Sequence, residues 1–166
     1  MPDHDQRPLA SFDRDAGSTY IWTTRVRRTG ELEATAYARS QSFSVCRQAS
    51  FRESDPHPSA IEHVLGALGS DLIIGFAAHG ARSGIAIEAI EATVSGRLNN
   101  PLVFLGVVGE EGHPGLEAIE ATLYVSADAD QSTLQQVWEE TLLRSPLVNT
   151  LQRSVALSLE MKSAPG

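Results

Sequence analysis

The stretch Asp55-Pro56-His57-Pro58-Ser59, then the apolar run Val64-Leu65-Gly66-Ala67-Leu68-Gly69-Ser70-Asp71-Leu72-Ile73-Ile74-Gly75-Phe76-Ala77-Ala78, closed by Gly80 and Gly84, decides how this chain is read. Ser59 with Glu62 three residues later fits a capping box, in which a hydroxyl and a carboxylate each satisfy a backbone N–H at the start of a helix. The predicted helix runs to about His79, with Gly80 and Gly84 near its stop. Gly66, Gly69 and Gly75 each weaken a helix by up to ~1 kcal/mol against Ala. Small residues kept at that cost imply a buried face where another backbone comes close. One carboxylate, Asp71, stands in the middle of the run. A charge there is expensive unless it is paired or protonated. Asp71 therefore has a partner, faces a wet interface or does chemistry.

Working outward, Tyr20 to Val26 carries strand signals, Thr29-Gly30 a turn, and Leu32 to Ala38 a second strand. Ser42 to Arg47 alternates Phe43 and Val45 against Ser44 and Cys46, a period of two that predicts a third strand. After the helix, Ala89-Ile90-Glu91-Ala92-Thr93 recurs as Ala118-Ile119-Glu120-Ala121-Thr122, which predicts two neighbouring antiparallel strands. The link between them, Asn99 to Gly115, holds the apolar set Leu102-Val103-Phe104-Leu105, expected to cover a core edge or meet a second subunit. Ser132 and Gln135 offer a capping box for a helix over Leu134 to Arg144, with Leu134, Val137, Trp138, Thr141 and Leu142 on one face. Ser145-Pro146 restarts a short helix through Gln152, with Pro at its first position, and Val155 to Met161 alternates as a final strand. The order is βββ-α-ββ-αα-β. It defines an α+β fold with helices laid on antiparallel sheet. Residues 1–18 read as a flexible N-terminal arm and 19–163 as a single domain.

The central helix resembles that of the OsmC/Ohr family of peroxide-stress proteins. There a Pro, a Glu, an apolar small-residue run and a cysteine nine residues after the Glu follow one another. Here the Glu is Glu62 and the cysteine position holds Asp71. A second family mark, Cys-Pro followed by Asn and Leu, reads Ser145-Pro146-Leu147-Val148-Asn149-Thr150-Leu151, which puts Ser145 at the second cysteine. The resemblance spans roughly residues 20–162. It implies an OsmC-like fold and an intertwined homodimer with composite sites between subunits.

In that family a thiolate attacks the O–O bond of a hydroperoxide and becomes a sulfenic acid, and a second thiol condenses with it to a disulfide. An Arg and a Glu hold thiolate and substrate. A carboxylate at 71 has no reducing sulfur, and a hydroxyl at 145 closes no disulfide. The resemblance therefore implies the fold without the usual thiol peroxidase turnover. Asp71, Glu62 and Ser145 become a pocket for a small, partly apolar molecule, or for a hydroperoxide, at the subunit interface. The alternatives are a hydroperoxide reductase working through Cys46, the sole cysteine, or an acid/base enzyme using Asp71 with a raised pKa. Cys46 also reads as a small buried apolar residue in a strand. Arg25, Arg27, Arg28 and Arg39 are candidate ion partners of Asp71. At about 100° per residue, Glu62 and Asp71 fall on opposite faces of the helix, so a site using both needs a partner subunit.

Composition narrows the remaining classes. The chain has 166 residues, 42% hydrophobic and 20% charged, with a net charge of -8. That balance argues against nucleic acid, whose phosphates need clustered Lys and Arg. No disulfide can form within the chain from one cysteine. The run 64–78 is too short for a membrane span and carries Asp71, and no secretory signal is visible, so the expected location is cytoplasmic. No HExxH or CxxC spacing, phosphate-binding loop or dinucleotide glycine pattern is present, so no metal and no cofactor are assigned. The Gly66 to Ser70 stretch lies within the helix and is no nucleophile elbow.

Overall fold

The computed structural model describes residues 21–46 and 57–163. The predicted arm over 1–18 lies outside the described residues. The chain falls into two compact units, residues 1–63 and 64–166.

The first unit carries a three-stranded meander of β1 (Arg25–Arg28), β2 (Ala34–Ala38) and β3 (Gln41–Val45), in that spatial order. Both pairings are antiparallel, with Arg25 opposite Tyr37 and Ser42 opposite Tyr37 from the other side. The next row joins Val26, Ala36 and Phe43. One face is thus apolar and the other polar, with the Arg25 guanidinium 4.9 Å from the centre of the Tyr37 ring. Among the described residues β1 starts at Arg25 and not at Ile21, because β2 ends at Ala38, one residue past Tyr37, and Tyr20 lies outside them. Ile21 and Trp22 are exposed ahead of it. Cys46 ends the meander in an isolated parallel bridge to Ser59, its N–H donating to the Pro58 carbonyl at 3.1 Å.

Helix α1 (Ala60–Arg82) begins in this unit and runs most of its length in the second. The capping box forms as read: the Ser59 N–H donates to the Glu62 carboxylate at 2.6 Å, and the Glu62 N–H to the Ser59 hydroxyl at 3.2 Å. At 23 residues, α1 outruns the sequence expectation and is long and apolar enough to cross a membrane by length and composition alone. Its Leu68, Leu72 and Phe76 instead lie at zero exposure inside a protein core.

That core belongs to the second unit. There β4 (Ile87–Leu98), β5 (Leu116–Ala127) and β6 (Ala156–Ser163) form a sheet in that order. β4 and β5 pair antiparallel, as the repeated pentapeptide predicts. Its two copies lie end to end across the pair and meet where Thr93 faces Thr122. β5 and β6 pair parallel. The crossover through α3 (Gln131–Arg144) and α4 (Pro146–Leu151) returns the chain to the end of the sheet where β5 began, so that edge departs from the antiparallel expectation. Ile119, Ala121, Leu123, Val125 and Ala127 alternate along the buried face of β5, against Leu134, Val137, Trp138 and Val148 as well as α1.

The βββ-α-ββ-αα-β order stands, with one added turn, α2 (Pro101–Phe104), in the apolar link. Asn100 caps it by accepting the Leu102 N–H at 2.9 Å. Leu102, Leu105 and Val108 on this link are exposed. α3 starts three residues before Leu134, and its cap is Asp130, not Ser132 with Gln135. The Asp130 carboxylate accepts the Thr133 N–H at 2.8 Å together with the Ser132 and Thr133 hydroxyls. These bonds, the Ser132 hydroxyl first, hold its carboxyl down to about 2.

Candidate functional site

Ser145 occupies a corner that the sequence builds twice over. Pro146 has no N–H to continue α3, so the helix stops at Arg144. Ser145 then serves as C-cap of α3 and N-cap of α4 in extended conformation (φ -69°, ψ 118°). Its Oγ accepts the Val148 N–H at 2.9 Å. That leaves its proton to be given away, and the Ser145 hydroxyl donates it to Asp71 Oδ2. Ser145 is buried, at 5% exposure, whereas Asp71 is half-buried. The two groups that the sequence singled out, 74 residues apart, are in direct contact.

Asn149 fixes the corner from below. Its amide donates to the carbonyls of Leu142 (3.3 Å), Leu143 (3.0 Å) and Ser145 (2.7 Å). The Leu142 and Leu143 carbonyls are orphan acceptors at the end of α3, whereas the Ser145 carbonyl also accepts the Asn149 backbone N–H at 3.2 Å. A stripe of α1 runs along the same helix pair. Asp71 meets Ser145, and one turn on, a Cβ at Gly75 would stand 3.1 Å from Thr141 Cγ2. Thr141 is fully buried and donates its hydroxyl to the Val137 carbonyl at 2.7 Å. Gly69 approaches Val94 as closely, at 3.1 Å, so Gly69 and Gly75 do mark tight packing, against side-chain methyls and not another backbone. Gly66 has nothing within 4 Å and does not share it.

A turn further along that stripe, His79 is buried, with Arg82 Nη2 at 2.6 Å from its Nδ1. A guanidinium only donates, so Nδ1 accepts and the ring is neutral. Burial, then the Arg82 charge, lowers the His79 pKa below its ordinary 6.5, against the opposing pull of Glu140. Glu140 is itself ion-paired to Arg144. Sequence reading places His79 only at the end of the predicted helix. Among the described residues no group of three or more His, Cys, Asp or Glu comes together.

The remaining candidates stand elsewhere. Glu62 and Cys46 belong to the first unit, as do Arg25, Arg27, Arg28 and Arg39. Inside its own unit, the partner of Asp71 is a hydroxyl and not an arginine. Cys46 is free and half-buried. His63, next to Glu62, stacks on Phe43 with ring centres 5.0 Å apart and lies 2.9 Å from the Ser59 carbonyl. The Asn149 clamp was visible in sequence only as the Asn of the second motif.

A capped, glycine-bearing helix whose middle residue meets a Ser-Pro helix corner, beside a three-stranded sheet, defines a class of α+β protein. Residues 53–160 match the family described as OsmC-like protein, and the chain belongs to that family. Solved structures share the fold at low identity. An OsmC-like protein from Mycoplasma pneumoniae is 14% identical with a TM-score of 0.75, over 89% of this chain and 100% of that one. The organic hydroperoxide resistance protein OhrB of Bacillus subtilis is 16% identical with a TM-score of 0.57, over 85% and 98%. An organic hydroperoxide resistance protein OsmC from Legionella pneumophila is 9% identical with a TM-score of 0.61, over 87% and 99%. No curated protein matches the chain.

Proposed function

We propose that this protein is an OsmC-like member of the peroxide-stress group in which Asp71 and Ser145 stand where relatives carry their two cysteines. The pair holds a small, partly apolar ligand and does not reduce hydroperoxides through a thiol pair. One observation carries the reading: the Ser145 hydroxyl and the Asp71 carboxylate touch across 74 residues. Two positions that exchange a disulfide must lie within one side chain's reach of each other, and these two do. Their chemistry is then changed. The first step of peroxide reduction transfers oxygen to a sulfur nucleophile, and neither residue has one. Glu62, the family's helix glutamate, keeps its capping role.

The reading includes a cytoplasmic homodimer without nucleic-acid or membrane partners. Support for a second copy comes from apolar side chains left in water, among them Ile74 of α1 at 68% exposure and Leu143 of α3 at 71%. The test is peroxide consumption. Purified protein is incubated with an organic hydroperoxide and dithiothreitol or dihydrolipoamide, beside Cys46→Ser. Rates equal in the two proteins and no higher than buffer support the reading. Turnover that disappears in Cys46→Ser makes the protein a one-cysteine peroxidase and overturns it.

A further inference from the structure

We infer that the ligand of the Asp71–Ser145 site is a protonated amine on an apolar body. This rests on the reading above that the pair is the ligand site. The polarity of the pair follows from its hydrogen bonds. Ser145 Oγ takes the Val148 N–H and gives its own proton to Asp71 Oδ2, so its donor is spent and it can only accept from a ligand. Asp71 Oδ1 carries no hydrogen bond among the described residues. The open capacity of the pair is acceptors only, chiefly the unbonded carboxylate oxygen, and it asks for a donor that is itself cationic.

Among the described residues, no cation of the unit is paired with Asp71. Arg82 is held on His79, Arg97 on Glu117 at 3.0 Å, Arg144 on Glu140, and Lys162 on Glu160 at 3.6 Å, and Arg153 makes no ion pair with Asp71. A half-buried carboxylate without an ion pair is the arrangement that a charged guest improves most, because attraction grows as water is displaced.

The rim selects the rest of the molecule. On α1, Ala67 and Ile74 lie one turn to either side of Asp71, and Ala78 lies two turns on; all three are exposed. Leu143 precedes Ser145 by two residues and is more than two-thirds exposed. A hydrocarbon or aryl group extending from the ammonium lies on this apolar surface, between it and the second copy proposed above. A neutral hydroperoxide gains nothing from the charge. A carboxylic acid is repelled by it. The change from thiol to carboxylate thus changes the ligand class of the site, beyond removing its redox step.

Calorimetric titration of the protein at pH 7 with n-octylammonium, n-octanol and octanoate tests this, with Asp71→Asn as the variant and circular dichroism confirming its fold. The expected result is octylammonium binding at least about tenfold tighter than octanol, a factor typical of one charge pair, with the preference gone in Asp71→Asn. Should that variant fail to fold, amide NMR shifts of the wild type replace it. They are expected to move at Ser70 to Ile74 and at Leu143 to Ser145 on adding octylammonium, and movement elsewhere overturns the inference. Octanol binding as tightly as octylammonium removes the amine and leaves the site reading standing. A preference that survives in Asp71→Asn assigns the charge to another place and overturns the inference. Binding of none of the three removes both readings.

Discussion

Ser145 does three things with one hydroxyl: it caps α4, donates to Asp71 and fills a buried corner. Ser145→Ala removes the cap and leaves Asp71 Oδ2 without its bond. The expected loss is about 1–3 kcal/mol of unfolding free energy, read by urea denaturation; an unchanged midpoint contradicts the geometry. Its supporting residue is equally exposed to test. Asn149→Ala strands the Leu142 and Leu143 carbonyls and is expected to cost a similar ~1–3 kcal/mol. At this scale the sequence was legible in its motifs and not in its pairings. Asp71 stood out because a charge in an apolar run needs a reason, and Ser145 because Ser-Pro restarts a helix. Their contact depends on how α1 and the α3–α4 corner pack, which no local pattern encodes. An arginine partner was the obvious guess for a half-buried carboxylate, yet the partner in its own unit is a neutral hydroxyl. The cap of α3 was misread for a plainer reason. Asp130 and Ser132 are both good caps two residues apart, and the carboxylate, with three acceptances, wins.

The elements are organised along the stripe Asp71, Gly75, His79 of α1. Gly75 lets α3 come close, so Gly75→Leu is expected to destabilise by about 1–3 kcal/mol, more than helix propensity returns. The measurement is the denaturation midpoint, and a variant as stable as the parent contradicts the close approach. His79 gives the stripe a pH dependence. Its folded pKa lies below the ordinary 6.5, so the unfolded chain takes the proton first. Stability contributed by the neutral ring is complete above about 6.5 and falls as pH drops below it. Thermal melts across this window are expected to show that decline, and His79→Gln to flatten it; an equal decline in the variant contradicts the assignment. Sheet pairing was legible where residues alternate: the repeated pentapeptide gave the β4–β5 pair. The parallel β5–β6 pair was not, because the direction of a returning strand is set by the crossover, not by its own residues. The helix runs past the expected His79 to Arg82, and of the two glycines near its stop it is Gly84, at φ 73°, that makes the turn.

At the scale of the whole molecule, the chain belongs to the OsmC-like family, and the proposed reading adds that the family's thiols are replaced. The exposed Ile74 and Leu143, and the apolar row of Val26 and Phe43 in the first unit, predict self-association. Sedimentation is expected to give a dimer, and Ile74→Glu to shift it toward monomer; a monomeric parent contradicts the homodimer. Element order and two short motifs carried the family through sequence alone, although identities to solved relatives are 9–16% among those compared above. Order and capping residues outlast side-chain identity because the backbone still needs the same turns and caps. The central claim is that Asp71 and Ser145 occupy the positions of a thiol pair. It is tested most directly by mass spectrometry of the double variant Asp71→Cys/Ser145→Cys, with Cys46→Ser, after one equivalent of organic hydroperoxide. The account predicts a single disulfide joining residues 71 and 145 within one chain. Two separately oxidised cysteines, or disulfides formed only between chains, contradict it.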